Sequence, residues 1–266
     1  MTKAKRKSVI MLSLMFLLLI LAAVGERFAP YDPYATSLMT ALKPPSAEYP
    51  FGTDNLGRCI LSRVLAGASA SIFTAIGVVA IVFVIGTVIG ITAGYLGGAA
   101  DQVLMKITTV FQAFPGFIMA VAIAGMLGPG LKNAMLSLIL IYWTTYARLA
   151  RSLVLQLKHD NYIRAARLCG ARTHHIMIRH VFPNIFAPML ITATLDIGNV
   201  VLSMAGLSFL GLGVQAPMAE WGLMISNGRA YLQTAPWCII FPSIVLFLSV
   251  VLFNLTGDSV RDAIDI

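Results

Sequence analysis

DNYIRAARLCGARTHHIMIRHVFP, running from Asp160 to Pro183, is the longest polar stretch after residue 70 and lies between two apolar runs. Asp160 or Asn161 can cap a short helix, Gly170 can end it in the left-handed conformation, and Thr173 can cap a second one. The expectation is helix, sharp turn, helix. On the first helix Tyr162, Ala165, Ala166 and Cys169 recur at i, i+3, i+4 and i+7, so one face carries an aromatic ring followed by small side chains. Arg164, Arg167 and Arg172 lie away from it. Such a face suits a groove on a protein partner, because small residues let another backbone come close while the tyrosine anchors.

Composition decides the class around this segment. The chain has 266 residues, of which 58% are hydrophobic and 11% charged, and its mean hydropathy is +0.85. A soluble domain has roughly 25% charged residues, so an integral membrane protein is expected. The length has room for about six spans of roughly 20 residues each, and leaves none for a soluble module. No G-x4-G-K-[ST] phosphate loop occurs, so energy has to come from a partner or a gradient. The net charge of +8 reads as topological bias rather than affinity for nucleic acid. Cys59, Cys169 and Cys238 show no paired spacing, which argues against a disulfide framework or a zinc site. No cofactor is expected.

Read in order, residues 1–24 form a basic start (Lys3, Lys5, Arg6, Lys7) and an uncleaved first span from Ser8 to Val24. Residues 25–69 are polar and rich in proline, an external loop in which Phe51 to Arg63 is expected to form an Asp54-capped surface helix. Residues 70–266 form a core of five further spans. The first of these, about Ala70 to Leu96, carries Gly86, Gly90 and Gly94, and with Gly98 these repeat every four residues, a stripe on which another helix can pack. Gly97 and Gly98 break it. Asp101 is expected to cap the next span, which reaches about Leu127 with a kink at Pro115. A fourth span covers about Asn133 to Leu157, with Arg148 and Arg151 at its inner end. The loop 158–183 follows, then spans from about Asn184 to Gly213 and from Trp237 to Leu255. This arrangement puts most of the nineteen Lys and Arg inside, with both termini cytoplasmic.

Three stretches resemble one family. Ala165, Ala166, Gly170 and Pro183, in the order A-A-x3-G-x12-P, are similar to the cytoplasmic coupling loop of binding-protein-dependent ABC importer permeases, and Tyr162 to Ala171 follow the Y-[IV]-x-A-A-R-x-x-G-A form of its dipeptide, oligopeptide and nickel branch. Arg164 stands where the family has glutamate, His180 where it has isoleucine and Phe182 where it has leucine. FGTDNLGRCILSR (Phe51 to Arg63) resembles the G-T-D-x-x-G-R-D-x-x-S-R signature, with Cys59 in place of aspartate. The tail, with Asn254, Gly257, Asp258, Arg261, Asp262 and Asp265, is similar to N-x-x-G-D-x-[LV]-R-D-x-[LI]-D. TLDIG, AGLSFLGLG and AEWG together look most like the nickel-permease branch.

The resemblance implies an all-α integral membrane protein with six transmembrane helices, a MetI-like permease fold and a cytoplasmic coupling helix, in a bacterial plasma (inner) membrane. It implies a second homologous permease subunit, two ATP-binding subunits and an external substrate-binding protein as partners. Coupling to the ATPase would rest on Tyr162, Arg164, Ala165, Ala166, Gly170 and Pro183, and the cargo would be nickel, a metal chelate, or a dipeptide or oligopeptide.

Asp196 is the one carboxylate in the middle of an apolar span. An ionised group there costs about 2.5–3.5 kcal/mol on insertion scales. It either lines a solute path or is satisfied by a backbone donor or partner residue, and Asn199, three residues on, can share its surroundings. Met204, where peptide-type members carry glutamate, is compatible with a metal or chelate, and Glu220 is a distinctive acid beside Trp221. These four are the candidate path residues. No fixed metal site is expected: His159, His174, His175 and His180 lie among arginines and read as loop histidines.

Two other classes fit the sequence less well. A stand-alone secondary transporter would show internal repeats and several intramembrane charges, and neither is present. An intramembrane serine protease, suggested by Gly206-Leu207-Ser208-Phe209, needs a histidine at the depth of the serine, and none lies in an expected span. The chain therefore reads as a transport subunit with no catalytic residue of its own.

Overall fold

The computed structural model describes residues 3–264, and Asp265 of the tail motif lies outside them. Helices dominate: α1 (Lys3–Val24), α2 (Ile60–Leu96), α3 (Gly98–Phe111), α4 (Gly116–Leu127), α5 (Leu131–Leu157), α6 (Asn161–Leu168), α7 (Thr173–Ile176), α8 (Phe182–Phe209), α9 (Trp221–Gly228) and α10 (Trp237–Ile264). Among the described residues the one isolated β-bridge joins Thr53 and Cys59.

Four helical stretches are long and apolar enough to cross a membrane, or five if α3 and α4 count as one broken span. The sixth expected span falls short. Its helix, α5, exists and its 27 residues are long enough at about 1.5 Å each, but Asn133, Tyr142, Thr144, Thr145, Arg148 and Arg151 dilute its apolar character. Between α3 and α4 the axis turns by 80°. Pro115 explains the sharpness, since it lacks an N–H and disfavours helical geometry at Phe114. Gln112, in the break, donates from Nε2 to Thr144 Oγ1 of α5 at 3.2 Å.

The surface helix expected over Phe51 to Arg63 does not form. Asp54 instead organises a loop, accepting at Oδ1 from the backbone N–H of Leu56 and Arg58 and at Oδ2 from Arg58 Nε at 2.7 Å. The loop before α2 therefore ends at Cys59, where the sequence suggested residue 69, and α2 runs unbroken for 37 residues. Arg63, on its first turn, is buried and spends its donors on the carbonyl oxygens of Pro33 at 2.9 Å and Met218 at 3.4 Å.

The chain divides into two compact units. The first comprises residues 1–77, 121–137 and 194–266. In it α1 lies along α10, with Ser8 Oγ donating to the Ser259 carbonyl and Thr256 Oγ1 to that of Met11. Trp221 is completely buried and donates from Nε1 to the Val64 carbonyl at 3.0 Å, while Phe51 stacks on Phe241 at 4.1 Å. The second comprises residues 78–120 and 138–193. Here the glycine stripe has a definite occupant. A Cβ on Gly86 or Gly90 would collide with the backbone of α5 at Trp143 and Ala147, and one on Gly94 would meet Val154. Gly98 drops out of the stripe: it faces open space and serves, with Gly97, to break the helix at φ 56° and 69°.

Asp101 does not cap α3, whose N-cap is Gly97. One turn further in, it receives a bidentate pair from Arg151 of α5, Nε at 2.5 Å and a terminal nitrogen at 2.7 Å. A planar guanidinium fork matched to a carboxylate fixes both distance and orientation.

Candidate coupling site

The polar segment 160–183 folds as α6, a turn, and the start of a much longer helix. Asp160 occupies the N-cap of α6 with extended backbone, though its side chain makes no capping bond. At the other end Gly170 sits at φ +78°, its N–H bonds to the Arg167 carbonyl, and that of Ala171 reaches back to Ala166. This pair of bonds is a Schellman closure, which requires the left-handed residue that glycine supplies. No atom approaches within 4 Å of where a Gly170 side chain would start, so the constraint there is conformational alone.

Thr173 is the first residue of α7 rather than its cap, which is Arg172. Nor is α7 a separate helix: it passes through a π-turn over Met177–Val181 into α8, giving one helical run of 37 residues from Thr173 to Phe209. The π-turn lies just before Pro183, whose missing N–H leaves the preceding turn one bond short, and a local widening absorbs that defect. The second half of the polar segment is therefore the end of a long apolar helix. At about 1.5 Å per residue that helix is roughly 55 Å long.

Ile163 anchors α6, being fully buried, while Tyr162, Arg164, Ala165 and Cys169 are exposed and Ala166 is half-buried. Burial of part of the Tyr162 ring, with Asp160 nearby, pushes its phenol above the ordinary range, so its hydroxyl remains a donor. Leu168 escaped sequence reasoning. It is 89% exposed, a large apolar side chain on the same side of the helix as the exposed Arg164 and Ala165. Its signal was its place four residues after Arg164 and three after Ala165, an apolar residue on the polar side of the helix.

The candidate path residues separate. Asp196 and Asn199 come together on α8, with Asn199 Nδ2 donating to Asp196 Oδ1 at 3.3 Å. Asn199 is exposed and Asp196 half-buried, and Thr192 and Ser203 extend the polar row along the same helix. Met204, 2% exposed, belongs to the core, as does Glu220 at 2%. Glu220 caps α9, accepting from the backbone N–H of Gly222 at 2.9 Å and Leu223 at 2.8 Å. Burial raises its carboxyl above the usual range, against the opposing pull of those two N–H groups and the hydroxyls of Ser208 and Ser71. Neither side chain presents a surface to a passing solute within this chain. Ser208, the serine of the Gly-Leu-Ser-Phe string, is completely buried and accepts from the N–H of Val214. Among the described residues, no group of three or more His, Cys, Asp or Glu side chains could hold a metal ion.

A helical membrane protein with a short helix turned back by glycine into a long span has the form of a transporter's permease subunit, and comparison with known proteins agrees. Residues 86–265 match the family described as "Binding-protein-dependent transport system inner membrane component", and the chain belongs to that family of ABC importer permeases. Among its relatives, the nickel transport system permease protein NikC of Escherichia coli (strain K12) is 41% identical over 249 residues, covering 94% of this chain and 90% of that one. The probable D,D-dipeptide transport system permease protein DdpC of the same organism is also 41% identical, covering 94% and 84%. The oligopeptide transport system permease protein OppC of Bacillus subtilis (strain 168) is 35% identical over 263 residues, covering 99% and 86%. The fold resembles that of the MetNI methionine ABC transporter in an inward-facing conformation, with TM-score 0.60 and 20% identity over 74% of this chain and 94% of that one. The fold is thus the MetI-like one expected, in an inner-membrane protein.

Proposed function

We propose that this permease forms half of the pathway of an importer that takes up nickel as a chelate, and that residues 158–183 carry the ATP-driven movement of partner subunits into it. What supports the coupling reading above all is the continuity of α6, through the Gly170 turn, with the 37-residue helix bearing Asp196 and Asn199. A push on α6 has a stiff element to act on. Tyr162, Arg164, Ala165, Ala166 and Leu168 form the surface offered to an ATP-binding subunit, Gly170 sets the angle, and Pro183 sits just past the π-turn near the start of the long helix. ATP hydrolysis belongs to those partners, a second homologous permease completes the pathway, and an external binding protein delivers the solute. Both termini lie in the cytoplasm.

For the cargo, the relevant feature is one carboxylate and one amide on a polar row of α8, without the several ligands a bare ion needs to shed its water. A single carboxylate suits a solute that arrives with its own ligands and a positive end. The same feature favours a second reading, the ammonium end of a short peptide, in keeping with the dipeptide and oligopeptide relatives. Uptake decides between them. Cells carrying the complete transporter are given radioactive nickel with histidine, or a labelled dipeptide, and compared with an Asp196→Ala version present at equal level. Nickel accumulation lost in the variant supports the chelate reading, whereas dipeptide accumulation with no nickel uptake under any chelator moves the protein to the peptide reading. The coupling surface has its own test: Leu168→Glu should release the ATP-binding subunits from the purified complex while the second permease stays bound.

A further inference from the structure

Tyr95 stands at the end of α2 and is buried in the second unit. Two cations from different parts of the chain converge on its ring. The guanidinium of Arg167, on α6, lies 5.6 Å from the ring centroid and donates to the phenol oxygen at 3.2 Å. The ammonium of Lys158, in the link between α5 and α6, lies 5.9 Å from the same centroid and donates to the Gly94 carbonyl at 3.3 Å, one of the last acceptors of α2. Cations over an aromatic face are attracted by its quadrupole with little demand on angle. The Asp101–Arg151 pair close by is different in kind, since a bidentate fork holds one orientation.

We propose that Tyr95 is a positioning residue for coupling: a ring that keeps α6 attached to α2 while letting α6 tilt, so that movement of the coupling helix reaches α2 as well as α8. The Asp101–Arg151 pair is the fixed strut beside it. This rests on the coupling role of residues 158–183, and it adds a second route out of that segment. It accounts for Arg167, on the exposed side of α6 like Arg164, sending its guanidinium to the ring and phenol oxygen of a buried tyrosine on α2.

The test needs no knowledge of the solute. In the full complex in lipid, with exposed Cys169 replaced by serine, spin labels on Asn161→Cys of α6 and Val84→Cys of α2 report their separation with and without ATP and vanadate. With Tyr95 present, a single narrow distance is expected in both states, and Tyr95→Phe, which keeps the ring, should match it. Tyr95→Leu should lose the single distance only when nucleotide is trapped, and Arg167→Gln should do so to a smaller extent. If Tyr95→Leu does not assemble, Arg167→Gln carries the test. A narrow distance in the leucine variant under trapping, a spread already present without nucleotide, or a phenylalanine variant behaving like leucine would each overturn the proposal. Failure of the underlying reading shows elsewhere, as unchanged ATP turnover per solute in Gly170→Val.

Discussion

At the scale of single residues, Gly170 is the position whose identity the mechanism needs most. Its φ of +78° lies in open space, so a substitution meets no neighbour and is penalised only by the backbone, about 1–2 kcal/mol for an ordinary L-residue. Asparagine visits that region readily, and Gly170→Asn should keep most activity where Gly170→Val loses it, as uptake measured at equal membrane level would show. Glu220 makes the contrasting case of an acid that looked functional and is a helix cap. Removing it as Glu220→Ala should cost about 1–2 kcal/mol, read as a lower melting temperature of the purified complex. Because burial raises its pKa, the stability it contributes is complete below the ordinary carboxylate range and is lost as pH rises through the raised value. Glu220→Gln should remove that part of the pH dependence. A variant that melted like wild type at every pH would contradict the cap.

At the scale of elements, α2 and α5 are held by backbone contact along Gly86, Gly90 and Gly94, and the sequence stripe showed this because small residues every four positions have one efficient use between helices. Gly90→Val should force the helices apart at a cost of about 1–3 kcal/mol or more, seen as loss of chain from the membrane. Gly98→Asn should be tolerated, since that position needs left-handed backbone and no space. Other elements were less legible. The reading of 51–63 as a helix followed Asp54 as a cap, whereas Asp54 turned its acceptors toward Leu56 and Arg58 and closed a loop. Asp101 likewise found a guanidinium 50 residues away. Capping signals are local, and a charged partner brought in by tertiary structure outcompetes them.

At the scale of the molecule, the short helix and glycine turn at 161–170 were readable because polarity interrupting two apolar runs, together with Gly170, marks a turn between two spans. The candidate path residues were harder, since which face of α8 is covered depends on packing the sequence does not state: Asn199 stayed exposed and Asp196 half-buried while Met204, eight residues beyond Asp196, was covered. Two relatives at equal identity are named for different cargo, one for nickel and one as a probable D,D-dipeptide permease. In this chain one glycine turn joins α6 to a long helix. The most direct measurement is ATP turnover and uptake of nickel–histidine or dipeptide, side by side, in proteoliposomes holding the complete transporter with Gly170 or Gly170→Val. Uptake falling roughly three- to tenfold for each ATP hydrolysed, the scale of mutations that alter coupling, is the predicted result. A Gly170→Val transporter that assembles and moves as much solute per ATP as the original would contradict the account.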